Sequence, residues 1–181
     1  MLLVGHSMGG QIVGLLAARH PELVSRILLM SSAGVKFAEN QFGREVLAGR
    51  NPFEVRTRAE LHRYLGIVFT DPPFVPWPAD GAMVRRRLLD VVFEQKVLDS
   101  IGRGPEALSL ESEMGRIRAP VLLLWCRDDK VIDVSAAEIF HRGLANSRTV
   151  LLAGCGHMPM MAQPDNVVEA ITAFLPPAPA P

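Results

Sequence analysis

The chain has 181 residues, of which 49% are hydrophobic, and this length is sufficient for one domain with a buried core. Its formal net charge is zero, so it lacks the basic excess that attracts phosphate backbones, and we expect no nucleic-acid partner. No apolar run approaches the roughly 20 residues that span a bilayer, and the first residues lack the charged flank of a signal peptide, so we expect a cytoplasmic protein without a transmembrane segment.

The N-terminal segment has the pattern strand, turn, helix. An apolar run over residues 2–4 leads into GHSMG at residues 5–9, and apolar residues then recur at helical spacing until Pro21. Residues 26–32, RILLMSS, are predicted to form a second strand that is covered on both faces, as in the centre of a parallel sheet. Residues 1–34 are therefore predicted to be a βαβ core unit.

The middle of the chain, residues 35–118, has a different character. Helical stretches such as NQFGREVLAGR and AMVRRRLLDVVFEQKVL alternate with the proline-rich DPPFVPWPADG, and no strand is predicted. We therefore predict an inserted helical cap. The second of these helices is predicted to bury a stripe that consists of Leu88, Leu89, Val92 and Phe93. The three arginines at 85–87 are accordingly interpreted as a solvated helix face rather than a binding patch.

From residue 119 to residue 175 the alternation of strand and helix returns. Strands are predicted at 120–126 and 148–154, and helices at 135–146 and 164–175. Residues 176–181, PPAPAP, are predicted to be a proline-rich tail without packed structure. The whole pattern predicts an α/β fold with a doubly wound, mainly parallel sheet, into which the helical cap is inserted.

The two cysteines, Cys126 and Cys155, have neither a zinc-binding spacing nor a CxxC arrangement. They are interpreted as small, buried, reduced side chains. A disulfide between them is the alternative.

The segment Gly5-x-Ser7-x-Gly9 fits the nucleophile elbow, in which a strand turns sharply into a helix and presents a serine at the carboxyl edge of a sheet. Because the two glycines have no side chains, we expect the strand and the helix to approach closely around a strained serine. Ser7 is thus predicted to be a nucleophile. The alternative hypothesis is a chance glycine-rich start of a helix.

A serine nucleophile requires a histidine base and a carboxylate that orients it. His157 follows a predicted strand, within GCGHMP, and the glycines there allow a loop to aim its imidazole inward. We predict that His157 is the base and that His6, beside the nucleophile, shapes the site. The remaining histidines are predicted to be surface or packing residues: His20, His62 and His141.

The carboxylate is expected between Ser7 and His157, because this kind of site has the chain order nucleophile, acid, base. Asp128, Asp129 and Asp133 all follow the strand that ends at Trp125-Cys126. Their spacing does not separate them, since each of these loop positions has the reach to meet the histidine.

The GHSMGG elbow, the W-x-x-x-D strand end and the GCGHMPMMAQP loop together resemble the α/β-hydrolase superfamily over nearly the whole chain. In that superfamily the strand end usually reads W-G-x-x-D, which implies that Asp129 is the acid, with Cys126 in place of the glycine. The segments KVIDVSAAEIF, LANSRTVLL and CGHMPMMAQP are similar to the monoacylglycerol lipase and bacterial lipase branch.

This resemblance implies a serine hydrolase whose substrates are small esters or lipids: carboxylic esters of medium-length acyl groups, or monoglycerides. The helical cap would cover the pocket that holds the acyl group. No metal or organic cofactor is implied, since a triad and an oxyanion hole suffice for ester hydrolysis. Residues expected to contact the substrate are His6, Phe69, Phe74, Val75 and Trp77. Simple packing within the cap is the alternative for the last four.

In such hydrolases several strands precede the elbow strand, so the chain resembles the C-terminal part of one. The oxyanion hole is expected to combine the backbone N–H of Met8 with an N–H from an upstream loop that this chain lacks. The elbow strand is expected to be an exposed edge, with self-association as a hazard. Two alternatives stay open: a carbon–carbon bond hydrolase of ring-cleavage products, and an inactive, truncated remnant.

Overall fold

A four-stranded parallel sheet forms the centre of the computed structural model, which describes residues 1–176. Its strands are β1 (Leu2–His6), β2 (Arg26–Met30), β3 (Val121–Cys126) and β4 (Ser147–Leu152), in the order β1-β2-β3-β4. Every neighbouring pair is parallel. The prediction of an α/β fold with a parallel sheet is confirmed, and the predicted tail lies outside the described residues apart from Pro176.

Helices cover both faces of this sheet. The helix α1 (Met8–Arg19) connects β1 to β2, and α6 (Ser135–Gly143) connects β3 to β4. After β4 come α7 (Pro159–Ala162) and α8 (Pro164–Phe174). The side chains of α1 and α6 pack on one face, whereas α8 packs on the other.

All six residues of β3 are buried because both of its faces are covered. Leu123 and Trp125 point to the face where Phe140 of α6 packs. Leu122 and Leu124 point to the opposite face, against Val167 of α8. The continuous apolar run VLLLWC is therefore the sequence of a central parallel strand, and it fixes where the loop after β3 begins.

Between β2 and β3 the structure contains four α-helices: α2 (Gln41–Leu47), α3 (Arg58–Val68), α4 (Ala79–Arg103) and α5 (Ser109–Glu113). They fall within the region predicted to be a cap. A capping box starts α3, since the Thr57 hydroxyl accepts from the N–H of Glu60 while the Glu60 carboxylate accepts from the N–H of Thr57. Within residues 1–176, neither the 25-residue α4 nor any other helix has an apolar stretch that could span a bilayer.

The predicted buried stripe of α4 is wrong. Leu88, Leu89, Val92 and Phe93 are 42%, 77%, 66% and 68% exposed, respectively. The residues of α4 that are buried are instead Asp80, Val84 and Leu98.

The inner face of α4 is partly polar, which explains why the apolar pattern misleads. Arg87 turns inward there and is no part of a solvated face. Its guanidinium lies 4.6 Å from the ring centroid of Tyr64, donates to the carbonyl of Phe53 at 2.6 Å and pairs with Glu94 at 3.2 Å. These partners compensate the charge of Arg87, so the arginine lies on the inner face although the sequence pattern predicts a solvated position.

β1 forms one edge of the described sheet, as expected, with the side chains of Leu2 and Val4 42% and 53% exposed. An exposed apolar edge is a surface on which other strands can pair. Self-association through β1 stays a prediction.

Cys126 and Cys155 form a disulfide, so the interpretation of both as reduced residues is wrong and the alternative holds. Their Cα atoms are 5.7 Å apart, because Cys126 ends β3 and Cys155 lies in the loop after the neighbouring strand β4. The bond therefore joins the beginnings of the loops that follow β3 and β4.

Replacing both cysteines by alanine is expected to lower the free energy of unfolding by about 3 kcal/mol, since the bond closes a loop across a sequence separation of 29 residues and restricts the unfolded chain. Urea denaturation with and without a reductant measures this change. The reductant should destabilise the parent chain but not the double variant.

Two free thiols in the alkylated parent chain would contradict the assignment. Disulfides are rare in cytosolic proteins. The state of these cysteines in cells therefore also tests the cytoplasmic location expected from the sequence.

Candidate active site

Ser7 lies in the turn between β1 and α1 with φ 54° and ψ −124°. Positive φ is uncommon for a residue with a side chain, so this backbone is strained. Three hydrogen bonds hold it: the N–H of Ser7 donates to the carbonyl of Met30 at 3.0 Å, and its carbonyl accepts from the N–H groups of Ala33 at 3.0 Å and Gly10 at 2.9 Å. The turn thereby presents the hydroxyl at the carboxyl edge of the sheet.

The glycines of the elbow do not have equal roles. A Cβ on Gly5 would collide with the carbonyl of Gly9 and with the side chain of Val13, so β1 and α1 do approach closely there. Outside the neighbouring backbone of α1, a Cβ on Gly9 would meet no heavy atom of the described chain within 4 Å, so the close approach does not require a glycine at this position. Gly10 is the second glycine with a steric role, because a Cβ on it would collide with the side chain of Ser32.

Three predicted residues from distant parts of the chain form one hydrogen-bonded line. The Nε2 atom of His157 lies 3.1 Å from the Oγ of Ser7, and its Nδ1 atom lies 2.9 Å from Oδ2 and 3.1 Å from Oδ1 of Asp129. His157 is 3% exposed and Asp129 is 5% exposed. The line therefore runs from a buried carboxylate to the serine hydroxyl with little access for water.

The backbone after β3 explains why Asp129, and neither of its neighbours, meets the histidine. Its Oδ1 accepts from the N–H groups of Val131 and Ile132 at 2.9 and 3.1 Å, so the carboxylate is locked in place. Asp128 instead accepts from the N–H of Gly154 at 2.6 Å. Asp133 accepts from the N–H of Ser135 at 2.9 Å, at the start of α6.

The loop that carries His157 is packed against the end of α3. The N–H of His157 donates to the carbonyl of Val68, the last residue of α3, at 2.9 Å. Gly156 has φ 64°, and a Cβ on it would lie 2.8 Å from that same carbonyl. A glycine is therefore required here both for the turn and for the approach to α3.

His6 packs against His157 and hydrogen-bonds to its backbone. Its Nε2 lies 2.7 Å from the backbone carbonyl of His157, and the two ring centroids are 4.7 Å apart. Burial, and next the nearby His157, lower the pKa of His6 to about 4. The ring is thus neutral near pH 7, and since a carbonyl only accepts, Nε2 carries the proton and donates it.

Met8 is the first residue of α1, so its N–H has no acceptor within the helix. This N–H is available to an oxyanion beside Ser7, as the motif requires. The role of Met8 stays a prediction.

A cavity of about 630 Å³ opens at Ser7. Its lining is mostly apolar and comes from the loop after β2, from α2, from the C-terminal end of α4, and from the loops that follow α2, α4 and β3. Members include Val35, Phe37, Phe42, Val46, Phe53 and Leu98. Sequence patterns offered no signal for this set, because the cavity exists only once α2 and α4 are packed together.

The residues predicted to contact substrate do not line this cavity. His6 bonds to the backbone carbonyl of His157 instead, and Phe69 is buried in the core. Val75 packs against that core, whereas Phe74 and Trp77 are 89% and 77% exposed. The proline-rich segment places the rings of Phe74 and Trp77 in solvent, and substrate contact by these five residues stays a prediction.

Comparison with known protein sequences finds hydrolases. Residues 2–170 match the sequence model of the Alpha/beta hydrolase family. The chain is 32% identical to monoacylglycerol lipase ABHD6 of Homo sapiens over 96% of this chain and 54% of that protein, and 22% identical to Lipase 1 of Psychrobacter immobilis over 94% and 54%. It thus spans about half the length of the curated relatives it matches.

Solved structures show the same fold. A membrane phospholipase A described as a bacterial virulence factor has a TM-score of 0.89 and 34% identity, over 96% of this chain and 56% of that chain. A meta-cleavage product hydrolase, CumD, has a TM-score of 0.72 at 21% identity, over 96% and 64%, and this likeness concerns the fold alone.

Replacing His6 by asparagine is expected to flatten the pH dependence of stability between pH 6.5 and pH 4. The pKa of His6 is about 4 in the folded chain and 6.5 in the reference state, so the unfolded chain binds more protons across this window. The free energy of unfolding of the parent chain therefore falls as the pH falls, by up to about 1.4 kcal/mol per pH unit from this group.

Urea denaturation at several pH values measures the two slopes. His20→Asn is the matched control, because it removes an exposed histidine and should keep the parent slope. Equal slopes for the parent chain and His6→Asn would show that His6 is not the buried neutral group described above.

Proposed function

Because the chain belongs to the alpha/beta hydrolase family, we propose that it supplies the catalytic triad and the acyl-binding cavity of a carboxylic ester hydrolase. In this proposal Ser7 is the nucleophile, His157 the base and Asp129 the acid. The observation that carries it is the hydrogen-bonded line from Asp129 through His157 to Ser7, which ends at the mouth of an apolar cavity of about 630 Å³.

The chemistry follows from the placement of the protons. Asp129 accepts from Nδ1 of His157, which leaves Nε2 unprotonated and facing the hydroxyl of Ser7. As Ser7 Oγ attacks the ester carbonyl, Nε2 takes its proton and Asp129 stabilises the imidazolium. The imidazolium then protonates the leaving alcohol, and the acyl group remains on Ser7.

The second half of the reaction reverses these roles. Water enters after the alcohol leaves, His157 removes its proton, and the hydroxide attacks the acyl-enzyme carbonyl. The acid is released when the proton returns to Ser7. In both halves, negative charge on the carbonyl oxygen is stabilised by the N–H of Met8 at the positive end of α1.

The cavity indicates the substrate class. Its wall of Phe42, Val46, Phe53 and Leu98 favours an alkyl chain, and each methylene that leaves water there contributes about 0.8 kcal/mol to binding. The relatives are named lipases, which supports esters of a single fatty acyl chain, such as monoacylglycerols of medium length. In this proposal α2 and α4 act as the cap over that chain.

Ser7→Ala is expected to abolish both labelling by a fluorophosphonate probe and turnover of a p-nitrophenyl ester. Asp129→Asn keeps the shape but lets the histidine adopt the wrong tautomer, so we expect kcat/KM to fall by about 10⁴-fold. Mass mapping of the labelled peptide identifies the nucleophile. Ser100→Ala, at an exposed serine of α4, is the control.

Labelling that persists in Ser7→Ala would overturn the assignment of the nucleophile. Hydrolysis of a vinylogous diketone acid in preference to the ester would instead assign carbon–carbon bond cleavage to the same triad.

Val46→Phe is expected to shift preference toward short acyl chains, because the larger side chain fills the cavity wall of α2. The ratio of kcat/KM for p-nitrophenyl octanoate to that for the acetate should fall about 10-fold, which corresponds to the loss of roughly two buried methylenes. Val168→Phe adds the same volume on the exposed side of α8 and should leave the ratio unchanged. A ratio that stays constant in Val46→Phe would place the acyl chain elsewhere.

A further inference from the structure

The outer face of α4 is an apolar surface in contact with solvent. Leu89, Val92 and Phe93 are two-thirds or more exposed, and their spacing of three and four residues places them side by side on one face of the helix. Leu98 is nine residues after Leu89, on the opposite, inner side. Large apolar side chains grouped on a surface in this way mark a site of interaction.

Cationic side chains flank this apolar group. Arg85 and Arg86 lie one turn before Leu89, and Lys96 lies one turn after Val92, and all three are exposed. The carboxylate of Asp90 offsets one of these charges, since it pairs with Arg86 at 3.0 Å. The outer face therefore keeps a positive excess around its apolar centre.

The segment just before α4 adds two exposed aromatic rings. Phe74 is 89% exposed and Trp77 is 77% exposed, and α4 begins two residues after Trp77. Tryptophan favours the boundary between water and lipid, where its ring is in apolar surroundings and its N–H keeps a polar partner.

We propose that this docking face, defined by Arg85, Arg86, Leu89, Val92, Phe93 and Lys96, binds the surface of an anionic lipid layer. Apolar side chains enter the layer while the longer cationic side chains reach the head groups, which is how an amphipathic helix lies in an interface. A second copy of the chain fits less well, because two such faces would bring like charges together. The binding is separate from ester hydrolysis and does not depend on it.

The test uses the Ser7→Ala chain, so that no substrate is consumed, with extruded vesicles of phosphatidylcholine alone or with 30 mol% phosphatidylglycerol (about a third anionic lipid). We expect co-sedimentation with the anionic vesicles, weakened by added salt. Arg85→Gln/Lys96→Gln should weaken binding about 20-fold, and Leu89→Ser/Phe93→Ser about 10-fold or more. The emission of Trp77, the exposed one of the two tryptophans, should shift to the blue.

Matched controls change the same residue types away from the docking face. Arg118→Gln/Arg142→Gln and Val168→Ser replace exposed side chains elsewhere and should bind like the parent chain. Since all the replaced side chains are exposed, circular dichroism and thermal melting should show that every variant is folded.

Three results would overturn the proposal. The first is that the chain does not bind anionic vesicles, and the second is that the control variants lose as much binding as the docking-face variants. The third is that the chain self-associates without binding vesicles and that Leu89→Ser/Phe93→Ser abolishes this self-association. The last result would assign the face to a second copy of the chain. Failure of ester hydrolysis in the Ser7-containing chain would leave vesicle binding unaffected, so the two proposals fail separately.

Discussion

The hydrogen-bonded line from Asp129 through His157 to Ser7 constrains the ends of three chain segments. Its members follow β1, β3 and β4, and in a parallel sheet these carboxyl ends meet at one edge. A different local feature positions the side chain in each loop: positive φ at Ser7, two backbone N–H groups that donate to Asp129, and positive φ at Gly156 before His157. The disulfide between Cys126 and Cys155 adds a covalent link between the loops that carry Asp129 and His157.

The strands, Ser7 and His157 were predictable from the sequence because the patterns that indicate them are local. A continuous apolar run predicts a buried parallel strand, and the glycines around Ser7 and His157 indicate tight turns after strands. Asp129 was not predictable in this way. Sequence spacing allowed Asp128, Asp129 and Asp133 alike to contact the histidine, and only the resemblance to a family selected Asp129. The structure shows the physical difference: each carboxylate accepts from a different backbone N–H, and that choice depends on the three-dimensional course of the loop.

The helical region was less predictable, because helix periodicity shows that a helix has two faces without showing which one is buried. In α4 the more apolar face is exposed, while the inner face holds Arg87 between Tyr64 and Glu94. The cavity wall was missed for the same reason. Phe42 and Leu98 are distant in sequence and become neighbours of one cavity only when α2 packs on α4. The role expected of Gly9 failed because close approach depends on what lies opposite a residue, which a motif does not state.

The hydrogen bond from the N–H of His157 to the carbonyl of Val68 ties the loop after β4 to the last residue of α3. Gly156 lets the two backbones meet there, since a Cβ on it would lie 2.8 Å from the same carbonyl. The position of the His157 backbone therefore depends on where α3 ends as well as on the sheet.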